Sequence, residues 1–149
     1  MKTLAISCWL FAIGFISCTN DIKPLAYGNA SCANCKMLLA DKHFGAEILT
    51  KTGKIYVFDS FECMVNFKNE YLTDESQIDK IVMADASKEG SLIDARSALY
   101  LHSRNFPSPM GAYISAFADE NSFTEFKSKY PGSKWSYSQA TDSVLNKNY

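Results

Sequence analysis

This chain is short of several things, and each shortage removes a class of function. There is no excess of positive charge: 15 Lys and Arg stand against 16 Asp and Glu, a net charge of −1. Nucleic-acid binding needs a basic patch or stripe, so no nucleic-acid partner is expected. Histidine occurs twice, at His43 and His102. Neither stands with a Cys or Ser in a pattern suited to nucleophilic catalysis, and no enzymatic activity is expected. The N-terminal apolar run, Leu4 to Ile16, falls short of the roughly 20 residues that a membrane-spanning helix needs. What remains is sulfur: five Cys and five Met in 149 residues.

The N-terminus points to export. Lys2 supplies a small positive region, and the apolar run ends at Phe15-Ile16-Ser17-Cys18. A charged start, a short apolar stretch and a small residue before the cut make a secretory signal. The end of the run resembles a bacterial lipobox, in which the Cys becomes the acylated first residue; ordinary signal cleavage nearby is the alternative. Residues 1–17 are therefore expected as a lipoprotein signal peptide and Cys18 as the lipid attachment site. Two or more acyl chains on one residue give stable anchoring. The expected location is the cell envelope, bound to a bacterial membrane and facing the periplasm. Residues 18–30, polar and carrying Pro24 and Gly28, are expected as a flexible tether, with one domain over 31–149.

Cys8 leaves with the leader and Cys18 carries lipid, so the domain keeps Cys32, Cys35 and Cys63. An odd number does not close a disulfide framework. A Cys32–Cys35 disulfide with Cys63 free stays open in an oxidising envelope. The run Cys32-Ala-Asn-Cys35-Lys-Met37 places three sulfur side chains within six residues. Soft thiolate and thioether ligands select Cu(I). A Met beside the Cys pair argues against a plain zinc knuckle, which uses Cys, His and carboxylates. A thioredoxin-like redox pair would follow a strand, and only polar chain precedes Cys32.

After Met37 the pattern is that of a small α+β unit. Ala46 to Thr50 and Lys54 to Phe58 read as strands joined through Lys51-Thr52-Gly53. Phe61, Met64, Val65, Phe67, Lys68 and Tyr71 follow at helical spacing, with Ser60 as cap and Cys63 at its third position. Met64 is expected inside. Ile78 to Ala84 reads as a further strand. A shift of 59 residues then lays Ile55 on Ile114, Phe58 on Phe117, Phe67 on Phe126, Lys68 on Lys127, Tyr71 on Tyr130 and His43 on His102. The repeat implies two related ββαβ half-domains packed together, about 31–86 and 91–149. In the second, Ala98 to His102 and Ala112 to Phe117 read as strands. Asn121 to Tyr130 reads as a helix stopped by Pro131-Gly132, and Trp135 to Tyr137 as the closing piece.

The halves differ in chemistry. Cys63 falls on Ser122, and the Cys32/Cys35/Met37 group has no sulfur counterpart. The second half offers Met110 instead, in a loop stiffened by Pro107 and Pro109, with Gly111 allowing a sharp turn. A lone Met can equally fill a core.

Several of these segments resemble one known family. Cys35-Lys-Met37-Leu-Leu39 with His43 is similar to the Cys-Gly-Met segment of the NosL family, accessory lipoproteins of nitrous oxide reductase. Ile81-Val-Met-Ala-Asp85, Leu92-Ile-Asp-Ala95, Ala98-Leu-Tyr-Leu101, Met110-Gly111 and Ala116-Phe117 follow the rest of that pattern. The resemblance implies a paired-ββαβ fold, related to the organomercurial lyase core. It further implies a Cu(I)-binding metallochaperone whose partner is nitrous oxide reductase or its assembly machinery. The first half also resembles TRASH and YHS metal-binding domains, in which a knuckle Cys and a helix Cys converge on one metal. That likeness makes Cys63 a neighbour of Cys35. The ligand set implied is Cys35, Met37, Cys32, Met110 and Cys63, with His43 as a weaker imidazole source. Lys36 stands where the family has Gly, and its ammonium is expected to favour the Cys35 thiolate.

Overall fold

A computed structural model describes residues 21–149; the expected signal peptide (residues 1–17) and the expected lipid attachment site Cys18 lie outside the described residues. Strands β1 (Ala46–Thr50) and β2 (Ile55–Phe58) form a hairpin, followed by helix α1 (Phe61–Tyr71) and strand β3 (Ile78–Ala84). A short strand β4 (Leu92–Asp94) completes an antiparallel sheet of order β2-β1-β3-β4. The second half repeats the plan with β5 (Leu99–His102), β6 (Ile114–Phe117), α2 (Glu120–Lys129) and β7 (Ser133–Trp135), in a sheet of order β6-β5-β7. Helix α3 (Tyr137–Leu145) ends the chain. Two antiparallel sheets with three helices bear out the α+β class and the paired half-domains.

Local chemistry explains the elements. The β1–β2 turn uses Gly53 at φ +83°, a backbone shape open to glycine at no steric cost. Its Gly53 N–H donates to the Thr50 carbonyl at 2.9 Å. Ser60 caps α1 by accepting from the Cys63 N–H, and Asp119 caps α2 by accepting from Asn121 and Ser122. These caps stand 59 residues apart, as do β2 and β6. The register holds from β2 through α1 and fails on either side: β3 shifted by 59 falls on α3 rather than on β7, and the first hairpins differ in length. Ala46 pairs with Phe58, whereas Leu99 pairs with Phe117, so the second hairpin is six residues longer. His43 consequently lies ahead of β1 while His102 ends β5, and the two histidines are not equivalent.

One apolar core joins the halves. Phe61 of α1 is fully buried, with ring centroids 4.9 Å from Tyr100 of β5 and 5.9 Å from Tyr137 of α3. Met64 is fully buried, as expected. A parallel bridge between Asp85 and Ala116 stitches the sheets, with the Ala86 N–H donating to the Ala116 carbonyl at 2.9 Å. Helix α3 and strand β4 were not expected. The stretch Ser136-Tyr-Ser-Gln139 is a capping box, and both of its reciprocal bonds form.

The segment read as tether is laid along the domain from Asp21 onward. Asp21 pairs with Lys80 at 3.8 Å, Leu25 is buried, and the Tyr27 hydroxyl donates to the Phe44 carbonyl at 2.6 Å. Apolar residues in that stretch, Leu25 and Tyr27, outweigh its Pro and Gly. Among the described residues no helix is long and apolar enough to cross a membrane.

Candidate metal centre

The Cys32–Leu38 segment is a tight knuckle. Ser31 and Leu38 form an antiparallel bridge, the Cys32 N–H donates to the Met37 carbonyl at 2.8 Å, and the Lys36 N–H donates to the Cys32 carbonyl at 3.1 Å. The Ala33 N–H donates to the Val57 carbonyl at 2.8 Å, which hooks the knuckle onto β2. Strand β2 runs into Asp59 and Ser60 and then into α1, where Cys63 sits one turn down. The knuckle and the helix start therefore meet over the same end of β2.

Their side chains converge. Ligand atoms of Cys32, Cys35, Asp59 and Cys63 all lie within 4.8 Å of one another. Cys32, Cys63 and Asp59 are buried, and Cys35 is half-buried. The three cysteines are free thiols rather than a disulfide and a spare. Cys35 donates to Asp59 Oδ2 at 3.4 Å, and Asn34 Nδ2 donates to Cys63 Sγ at 3.5 Å. Asp59 was not among the expected ligands. Its place, two residues before the first turn of a Cys-bearing helix, was the available signal.

The cluster divides its protons unevenly. The neighbouring Cys63 side chain lowers the Cys32 pKa to about 6 against its burial. The same closeness to Cys32, with burial, pushes the Cys63 thiol up. Burial also raises Cys35. The expected help from Lys36 is therefore not what sets Cys35: burial leads, and the ammonium is turned onto the Ala33 carbonyl at 2.6 Å. Lys36 adopts φ +67°, a left-handed backbone suited to glycine, which accounts for the Gly of the similar family segment. The Cys32 thiolate also lies close to the N-terminus of α1, where a helix favours negative charge.

The two methionines are at the surface. Met37 is 47% exposed and Met110 41%, so neither fills the core. Met110 lies in the long β5–β6 loop, and this loop is tied to α1. The Ser108 hydroxyl and the Ala112 N–H both donate to Glu62, the neighbour of Cys63, at 2.5 and 3.1 Å. His43 is away from the thiols' hydrogen-bond network: its Nδ1 contacts Asp41 at 2.9 Å and its ring meets Phe106 edge-on.

Three soft donors and one carboxylate at this spacing suit a thiophilic ion. Thiolates favour Cu(I), and Asp59 adds one hard oxygen beside them. Known proteins agree with this architecture. No curated protein matches the sequence. Among solved structures, the crystal structure of the copper chaperone NosL from Shewanella denitrificans matches with a TM-score of 0.64 at 22% identity. The match covers 79% of this chain and 94% of that one. The NosL family pattern matches residues 26–145, so this chain belongs to the NosL family.

Proposed function

We propose that this protein is a Cu(I) carrier, lipid-anchored through Cys18 and facing the periplasm, that supplies the copper centres of nitrous oxide reductase. The observation that carries the copper reading is the convergence of Cys32, Cys35 and Cys63 beside Asp59. Family membership and the copper chaperone of the same fold support it. The N-terminal run ending at Cys18 supports the anchor.

The geometry suits a carrier better than a vault. Cys32 is already ionised near neutral pH and can make the first bond to incoming Cu(I). Cys35 and Cys63 then ligate only as they lose protons, and Asp59 accepts from Cys35 at the start. The half-buried Cys35 and the exposed Met37 lie on the open side of the knuckle. Met37 and Met110 serve there as thioether ligands during entry and exit, and copper passes to a recipient by stepwise ligand exchange.

The test is a competition titration of the reduced soluble protein, without residues 1–18, against a Cu(I)-specific chromogenic chelator. One equivalent of Cu(I) is removed by the wild type and not by Cys35→Ala. Full Cu(I) affinity in a Cys35→Ala/Met37→Ala variant contradicts the reading. The client assignment is checked separately, by the copper content of nitrous oxide reductase from cells lacking this protein.

A second reading, thiol–disulfide exchange, draws on the same closeness of sulfurs and on the Cys32 thiolate. It comes forward if the fully reduced protein fails to compete for Cu(I).

A further inference from the structure

Helix α1 carries a buried acid one residue before Cys63. Glu62 is 2% exposed. Its Oε1 accepts from the Ser108 hydroxyl and the Ala112 N–H, and Ser108 Oγ in turn accepts from the Tyr113 N–H at 2.9 Å. Its Oε2 is buried with no hydrogen-bond partner among the described residues. A buried carboxylate is unfavourable unless its bonds compensate. Here both bonds go to one short stretch of chain, and that stretch is the part of the β5–β6 hairpin that the β1–β2 hairpin lacks.

The stretch has a defined shape. The Gly111 N–H donates to the Ser108 carbonyl at 3.0 Å, closing a turn with Pro109 and Met110 at its centre. Gly111 at φ +80° and Tyr113 at φ +60° return the chain to β6. Met110 thus sits between the two residues that Glu62 holds, Ser108 and Ala112. Cys63 follows Glu62 directly on the helix. A single carboxylate fixes the methionine loop against the turn of helix that bears a thiol of the cluster.

We propose that Glu62 is a positioning residue: it clamps the Ser108–Tyr113 turn to the start of α1 and so sets the Met110 thioether at the rim of the thiol cluster. This rests on the Cu(I)-carrier reading with Met110 as a ligand. A side-chain carbonyl-type oxygen suits the task because it accepts two bonds at once.

The experiment pairs Cu(I) competition titrations with the NMR signal of a 13C-labelled Met110 methyl, both on the reduced protein. Glu62→Ala weakens Cu(I) binding by about tenfold, the lower range for loss of a group that orients a ligand. It also shifts the Met110 methyl signal towards that of a free side chain. Glu62→Gln keeps the Oε1 acceptor and restores both readouts. In a Met110→Ala background, Glu62→Ala causes no further loss of Cu(I) affinity, although it lowers thermal stability as much as before. Normal Cu(I) binding by Glu62→Ala, where Met110→Ala alone weakens it, overturns the clamp and leaves the carrier reading standing. Normal binding by Met110→Ala removes Met110 from the site and overturns the clamp's purpose with it. Should Glu62→Ala fail to fold, Ser108→Ala removes one of the two bonds from the loop side. An unmoved methyl signal and unchanged Cu(I) affinity in that variant overturn the proposal equally.

Discussion

Replacing Cys63 by Ala should move the ionisation of a different cysteine. In the reduced protein the Cys63 side chain is the largest influence that lowers Cys32, to about 6, while burial works the other way. Cys35 and Cys63 are both raised, so Cys32 alone ionises between pH 5 and 8. With pKa 6, about nine-tenths of Cys32 is thiolate at pH 7. Without Cys63 the largest lowering influence is gone and burial is opposed only by backbone hydrogen bonds, so the pKa rises, and each unit of rise past 7 cuts the thiolate fraction at pH 7 about tenfold. Thiolate absorbance in the far ultraviolet, followed against pH, reads this directly as a midpoint that moves up by at least one pH unit, the loss of about 1.4 kcal/mol of preference for the thiolate. Alkylation rates are the poorer assay. The less acidic thiolate is intrinsically the better nucleophile, by roughly threefold per pH unit, which cancels much of the fall in thiolate. Cys63→Ser keeps a donor and should give an intermediate midpoint. A midpoint still near 6 in Cys63→Ala refutes the reasoning and assigns the acidity to the helix start and backbone instead.

Other perturbations have outcomes as definite. The pH dependence of folding carries the same signature: Cys32, depressed when folded, adds stability that grows from pH 6 to 9 and is lost as pH falls through 6. Cys63 and Cys35, raised when folded, add stability below pH 9 that is lost as pH rises further, so the thiols' contribution peaks near pH 9 in urea titrations of the reduced protein. Lys36→Gly relieves a left-handed backbone that costs other residues ~1–2 kcal/mol and gives back about half of that as chain entropy. A gain of about 0.5 kcal/mol is expected, and a loss above about 1 kcal/mol contradicts it. Gly132→Ala places a Cβ 2.2 Å from the His102 carbonyl oxygen and 2.9 Å from Ser103 Cβ. The β5–β7 junction must shift, at about 1–3 kcal/mol in unfolding free energy. Phe61→Ala empties the contact between the halves and should cost about 3–5 kcal/mol.

How much was legible in the sequence differs by element. Period-two and helical spacing placed β1, β2, α1, β3, β6 and α2 within two residues, because each buries an apolar face against a partner. Strand β4 has three residues, too few for any period to register. Helix α3 was passed over although its apolar residues are no more thinly spread than those of α1 or α2, and the Ser136/Gln139 capping box at its start was a further signal. In the site, Cys32, Cys35 and Cys63 were marked by residue type alone. Asp59 was not, since a lone carboxylate at a helix start reads as a solvated cap residue until its burial is seen. The role of Glu62 depends on a loop 46 residues away in sequence, which no local pattern encodes.

The repeat explains why the described residues hold one such cluster. Both halves run a strand into a capped helix, with Ser60 and Asp119 in matching places. In the first half every residue from Phe58 to Val65 is buried, because the Cys32–Leu38 knuckle and the Ser108–Tyr113 turn cover the helix start. In the second half Ala118 to Asn121 are exposed, and Ser122, the counterpart of Cys63, bonds back to its own cap. A thiol at Ser122 would face water, with no knuckle to bring it partners. Burial at the first helix start brings Cys63 against Cys32 and raises Cys35 and Cys63, the thiols that a metal must later deprotonate. The asymmetry that makes the cluster thus comes from two loops laid over one of two similar helix starts. Transplanting Cys63 alone to position 122 should therefore create no second copper site.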